Sequence, residues 1–197
     1  MLKNISFETS VFSKDKIIDT KLKQIVMVGK SNVGKSSFIN ALANHKHLAK
    51  VGQTPGKTKC LNYYNVNEEF YIVDLPGYGY STMSASEKEN TSKLVNSYIT
   101  NNKSIVHMFF LIDIRHKPTE NDRMMYDFIL AQEIPFTIIA TKSDKLKSSQ
   151  LDEHIFEITK TLFAKEKIIA FSNNNKLNLD KIEEIIKTTI YSNQKEE

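Results

Sequence analysis

The nine residues Gly29-Lys30-Ser31-Asn32-Val33-Gly34-Lys35-Ser36-Ser37 constrain this chain more than any other stretch. They follow the apolar run Ile25-Val26-Met27-Val28 and lead into a helical pattern, fitting the template G-x-x-x-x-G-K-[ST] in the context that template requires. The demand is physical. Gly29 and Gly34 allow a tight turn in which successive N–H groups, from Lys30 through Ser36, point into a concave anion nest. The helix that starts near Lys35 adds the positive end of its dipole. Lys35 is placed to reach the β- and γ-phosphates, and the Ser36 hydroxyl to ligate Mg²⁺. A strand–loop–helix built for a nucleoside triphosphate follows.

The rest of the chain suits one domain of ordinary soluble composition. It has 197 residues, 40% hydrophobic and 25% charged. That length supports a single core, and no apolar run approaches the roughly 20 residues of a membrane span. The first fifteen residues lack the apolar stretch and cleavage site of a secretion signal. The single cysteine, Cys60, excludes an internal disulfide and fits a reducing cytoplasm. A net charge of +4 permits contact with nucleic acid without requiring it.

Residues 1–24 read as an N-terminal extension in which Ile5, Phe7 and Val11 suit a short edge strand, and 192–197 as a flexible tail. After the strand at Ile25–Val28 and a helix from Ser36 to about Ala43, residues 44–58 carry His45, Lys46, His47 and Lys50 without an acidic residue and read as a mobile loop. The runs Cys60–Val66 and Phe70–Asp74, joined by Asn67-Glu68-Glu69, predict a hairpin. Helices are expected over 85–101, 119–132, 149–164 and 178–190, and strands at Ile105–Asp113, Pro135–Ala140 and Ile168–Phe171. This alternation predicts an α/β, three-layer P-loop fold: a mostly parallel sheet with one antiparallel hairpin strand and helices on both faces. Ligands of such sheets bind at the carboxyl ends of the strands, where every motif falls.

Asp74-Leu75-Pro76-Gly77 closes the second hairpin strand. Asp74 is placed to hold Mg²⁺ through water, and the Gly77 N–H to meet the γ-phosphate. Thr141-Lys142-Ser143-Asp144 follows a later strand and has the form of a guanine-reading N/T-K-x-D motif. Guanine presents N1–H and its 2-amino group side by side, so one carboxylate accepts both; adenine has no such donor pair. Lys142 would lay its stem along the base. Phe171-Ser172-Asn173 ends the last strand, where a third base-contacting loop belongs.

These segments, together with TPGKT at 54–58, DLPGYGY at 74–80, DIRHKPTENDRMM at 113–125 and TKSDK at 141–145, resemble the EngB/YihA/YsxC GTPases. These are bacterial GTP-binding proteins of the TrmE–Era–EngA group, associated with large ribosomal subunit assembly and with cell growth and division. The resemblance spans residues from about 5 to 190. It implies GTP or GDP as ligand, with Mg²⁺ held by Ser36, Asp74 and Thr58. Position alone leaves Thr54 and Thr58 equivalent; Thr58 is chosen by the resemblance, which also makes Gly56, Lys57, Thr58, Lys59 and Cys60 a nucleotide contact. Asn173 stands where the family usually has serine. Lys35, Asn32 and Thr58 become the catalytic set, with Asn32 in the position associated with a K⁺ ion that replaces an arginine finger.

Tyr78 occupies the place where Ras-type proteins put a water-orienting glutamine, and its phenol is expected to point away from the phosphate. Asp113, Arg115 and His116 are read as supports for the neighbouring loop. The basic loop with Tyr63 and Tyr64 offers phosphate contacts and stacking to rRNA. The expected partner is the large ribosomal subunit, with neither a membrane nor DNA, and the expected state is a cytoplasmic monomer. Two rivals remain: a P-loop metabolite kinase, which the scarcity of arginine and the TKSD motif oppose, and a GTP-dependent interaction switch at the division site with little hydrolysis.

Overall fold

The computed structural model describes residue 2 and residues 4–50, 59–79, 83–100 and 102–192. In chain order the strands are β1 (Ile5–Val11), β2 (Lys23–Gly29), β3 (Leu61–Val66), β4 (Phe70–Asp74), β5 (Ile105–Asp113), β6 (Phe136–Thr141) and β7 (Ile168–Ala170). The helices are α1 (Lys35–Leu42), α2 (Ala85–Ile99), α3 (Glu120–Leu130), α4 (Leu151–Leu162) and α5 (Leu179–Tyr191). The strands form one sheet in the order β1-β3-β4-β2-β5-β6-β7. Only β3 opposes its neighbours, pairing antiparallel with β1 and β4, while β2, β4, β5, β6 and β7 pair in parallel.

Alternation along the strands explains the two helical layers. On β2, Val26 and Val28 join one core and Ile25 and Met27 the other; on β5, Met108, Phe110 and Ile112 face opposite to Phe109 and Leu111. Both faces are apolar because both are covered, as parallel sheets require. The first core receives Leu94, Val95, Tyr98 and Ile99 of α2, Tyr126 and Ile129 of α3, and Ile158 and Leu162 of α4. The second receives Phe38, Ile39 and Leu42 of α1 and Leu179, Ile182, Ile186 and Ile190 of α5.

Two expectations change here. Tyr63 and Tyr64 point to opposite sides of the sheet, 0% and 3% exposed, so neither ring is free to stack on a base. The alternation of a strand with both faces covered hides consecutive aromatics equally well. Residues 44–50, read as the start of a loose loop, are tied down by Asn40 of α1. Its Nδ2 donates to Lys46 O (3.1 Å) and Ala49 O (2.9 Å), and its Oδ1 accepts from Ala49 N–H (2.7 Å).

His107 sits on β5, buried, with Nε2 3.0 Å from the Thr137 hydroxyl. Burial lowers its pKa from 6.5 to about 4, so the folded chain favours the neutral ring. That contribution is complete above pH 6.5 and is lost as the pH falls through 4. Urea unfolding followed from pH 7 to pH 4 should show wild type losing about 2 kcal/mol more than His107→Gln, which cannot take up the proton.

Candidate nucleotide site

The carboxyl ends of β2, β5 and β6 converge. Gly34 has φ +115°, a conformation open to glycine, and it is the residue from which α1 starts. Asn32 also takes a left-handed turn (φ +61°), which asparagine tolerates, and its side chain is exposed at the rim. Val33 turns its side chain into the core beside Phe38. The loop is fastened from outside by Thr141, whose hydroxyl lies 2.7 Å from Val33 O and 3.1 Å from Ile112 O. Thr141 is thus the last residue of β6 and, at the same time, the residue that knits three strand ends together.

Lys35 and Asp74 face each other inside this cradle. Both are buried, at 8% and 2% exposure. Burial lowers the Lys35 pKa, partly offset by Asp74. Burial raises that of Asp74 to about 6, with Lys35 and the Ser36 hydroxyl pulling the other way. Asp74 Oδ1 accepts no hydrogen bond among the described residues. A buried carboxylate oxygen without a donor, beside the Ser36 hydroxyl, is a pair of hard oxygens of the kind Mg²⁺ takes, so these residues fit that ion. Leu75 turns into the core and donates its N–H to Met27 O at 3.1 Å. Pro76 and Gly77 then bring the chain back over the loop; a Cβ on Gly77 would come within 2.8 Å of Ser31 N.

The two later motifs meet through Phe171 and Asp144. Lys142 takes a left-handed turn (φ +63°). Ser143 N–H donates to Phe171 O (3.1 Å), and the Phe171 ring packs edge-on against Phe38, 4.9 Å between centroids. Phe171 therefore acts through its backbone and the core. Asp144 is held by Ser172 Oγ at 2.9 Å on Oδ1 and by Asn174 Nδ2 at 2.7 Å on Oδ2. Burial opposes its ionisation, but Ser172 and Lys145 outweigh that and hold the pKa below the usual range. An ionised carboxylate aimed with both oxygens constrained suits a paired N–H donor.

Two contributors were not legible as site residues. Asn174, rather than its neighbour Asn173, touches Asp144. Asp113 joins the loops: its Oδ2 accepts from Lys142 Nζ (2.8 Å) and Arg115 Nη2 (2.7 Å), and Lys142 Nζ also donates to Asn32 O at 2.7 Å. Burial alone would raise the Asp113 pKa; the Arg115 and Lys142 hydrogen bonds bring it down to about 2. His116 is exposed and closes the turn through its backbone, donating N–H to Asp113 O at 3.2 Å.

Gly56, Lys57 and Thr58 lie outside the described residues. Lys59 pairs with Glu87 of α2 at 2.5 Å, and Cys60 is buried with Sγ 3.4 Å from Asn62 Oδ1.

Residues 24–142 match the family model described as 50S ribosome-binding GTPase. A probable GTP-binding protein EngB from Mycoplasma mycoides subsp. mycoides SC is 42% identical over 189 residues, covering 94% of this chain and 96% of that protein. The chain belongs to the EngB family of GTP-binding proteins. Another EngB relative, from Caldanaerobacter subterraneus subsp. tengcongensis, is 39% identical over 96% of this chain and 98% of its own length. Among solved structures, a probable GTP-binding protein engB superposes with a TM-score of 0.72 at 23% identity, covering 86% of this chain and 99% of its own. Era in complex with MgGDPNP and nucleotides 1506–1542 of 16S ribosomal RNA gives 0.68 at 24% identity, over 87% of this chain and 58% of that one. Both support the fold, a GTPase domain with a seven-stranded sheet.

Thr141→Val keeps the shape and removes the hydroxyl. Ligand-free unfolding in urea should show a loss of about 1–2 kcal/mol, because two buried carbonyls lose the one hydroxyl donor they share. Release of a fluorescent guanine nucleotide should quicken as the loop loses its fastening.

Proposed function

We propose that this EngB-family chain hydrolyses GTP to GDP and phosphate, slowly by itself and faster on its target. We take it to act as a nucleotide-gated factor in assembly of the large ribosomal subunit. The observation that carries the catalytic part is the convergence of Lys35, Asp74 and the doubly held Asp144 at one end of the sheet. The family model's description, 50S ribosome-binding GTPase, supports the ribosomal part. On this reading the protein works in the cytoplasm as a single G domain and a monomer, and its need in division and septation follows from ribosome supply. Among the described residues no helix is long and apolar enough to cross a membrane.

Guanine is read by Asp144, with Ser172 orienting the carboxylate, Lys142 flanking the base, and the Asn173 N–H and Ser143 completing the pocket. Within the loop Lys30–Ser36 the Ser31 and Val33 N–H groups are already given to Tyr78 O (2.9 Å) and Lys30 O (3.2 Å). The nest is therefore narrower than the sequence suggests, and the remaining N–H groups hold the phosphates. Lys35 unfolds from its present contact with Gly29 O (3.2 Å) to meet the β- and γ-oxygens. Ser36, Asp74 and Thr58 would hold Mg²⁺, which supplies charge neutralisation at the bridging oxygen when bound. Water attacks the γ-phosphorus, the bond to the β–γ bridging oxygen breaks, and GDP leaves with that oxygen; no covalent intermediate with the chain forms. The Tyr78 phenol, bound to Asp122, does not orient this water. Asn32 is assigned to a K⁺ ion that takes the place of an arginine finger.

Three experiments test these parts. Asp144→Asn should lose GDP affinity by about a hundredfold or more, and should gain xanthosine diphosphate, whose 2-carbonyl meets the new amide donor. Asn32→Ala should make turnover in KCl equal to that in NaCl; a retained K⁺ advantage would remove Asn32 from that role. In co-sedimentation with isolated 50S subunits at near-physiological salt, the protein should pellet with a non-hydrolysable GTP analogue and not with GDP. Absence from the pellet in both states would overturn the ribosomal reading.

A further inference from the structure

Tyr78 is held at both ends. Its carbonyl accepts the N–H of Ser31 at 2.9 Å, and Tyr78 forms a short parallel bridge with Lys30 at the exit of β2. Its phenol donates to Asp122 Oδ1 at 2.7 Å. Asp122 is itself fixed: buried at the start of α3, it accepts Thr119 N–H at 2.7 Å and Thr119 Oγ1 at 2.6 Å on its other oxygen. Burial first, and then the Asp122 charge, push the phenol's pKa well up, so the hydroxyl stays a donor. One residue therefore spans the distance from the phosphate loop to the cap of α3.

The residue before it feels the consequence. Gly77 lies against the loop so closely that a Cβ there would be 2.8 Å from Ser31 N and Ser31 Cα, and 3.1 Å from Lys35 Nζ. The same Lys35 amine is turned back onto Gly29 O. On the reading that both Lys35 and the Gly77 N–H meet the γ-phosphate, a third phosphate goes between that amine and Gly77. A diphosphate has no group to place there.

We propose that Tyr78, by bridging Ser31 and Asp122, sets the balance between di- and triphosphate: the latched segment accommodates GDP, and GTP binds only by releasing the latch. Tyr78 is here a positioning residue, acting through the placement of Gly77, and the proposal rests on the guanine-nucleotide reading above. Each GTP binding event then carries the loss of about one buried hydrogen bond that GDP binding does not.

Tyr78→Phe keeps the ring and the carbonyl and deletes the phenol contact. Equilibrium titrations of wild type and variant with fluorescent GDP and a fluorescent non-hydrolysable GTP analogue, both with Mg²⁺, read the ratio of the two affinities. The ratio should move toward the triphosphate by about five- to tenfold, the equivalent of one hydrogen bond. Asp122→Asn, a weaker acceptor that can still cap α3, should move it the same way by less. A merely structural role would weaken both nucleotides together and leave the ratio where it was. An unchanged ratio in Tyr78→Phe, with both nucleotides still bound, overturns the proposal. Wild type that binds neither nucleotide overturns the guanine-nucleotide reading instead, and the proposal falls with it.

Discussion

The fastening at Thr141 is the interaction on which the rest depends. A phosphate loop is a run of backbone donors whose own hydrogen bonds are left open for a ligand, so it needs support from outside. The Thr141 hydroxyl supplies it by lying between Val33 O and Ile112 O, which ties the loop after β2 to the ends of β5 and β6. Lys142 repeats the arrangement one residue later, reaching Asn32 O and Asp113. Two consecutive residues of the base-reading motif thus shape the phosphate loop. The TKSD segment and the loop after β2 are parts of one hydrogen-bonded unit, and on the proposed reading guanine binding and loop geometry are coupled through it.

Within that frame the unfavourable element is deliberate in effect. Lys35 and Asp74 are both buried, and Asp74 Oδ1 has no donor among the described residues. A buried charged pair seldom adds stability by itself, and a buried carboxylate oxygen left without a partner costs free energy. The core on both faces of the sheet, dense with Phe38, Phe109, Phe110 and Tyr98, carries that cost. A cation and a polyphosphate would relieve it, so binding energy is stored where the chemistry needs it.

Much of this was legible from the chain because the signals are local. The strand–loop–helix around Gly29–Ser37 shows in nine residues, and Ile105–Asp113 reads as a strand from the apolar run Met108–Ile112 within it. The antiparallel placement of β3 follows from the short Asn67-Glu68-Glu69 connection, which can only make a hairpin. What was not legible depends on contacts between distant residues. Tyr63 and Tyr64 look like a stacking pair beside a basic loop, yet the sheet has both faces covered and buries each. Asn40 looks like an ordinary polar residue of α1 until its amide is seen holding Ala49. Asn174 is one of three consecutive asparagines, and only the turn after β7 decides which of them meets Asp144. The pairing of Asp113 with Arg115 is local, but its second partner, Lys142, lies 29 residues away and shows only in the fold.

The account's central claim is that this end of the sheet is built for guanine. The direct measurement is calorimetric titration of the purified chain with GDP and, separately, with ADP, both with Mg²⁺ at near-physiological salt. The account predicts saturable, one-to-one binding of GDP and no detectable heat of binding for ADP, because adenine leaves Asp144 without its paired donors. Comparable affinity for ADP would contradict it, and would mean that Asp144 and its two supporting side chains serve the fold rather than the base.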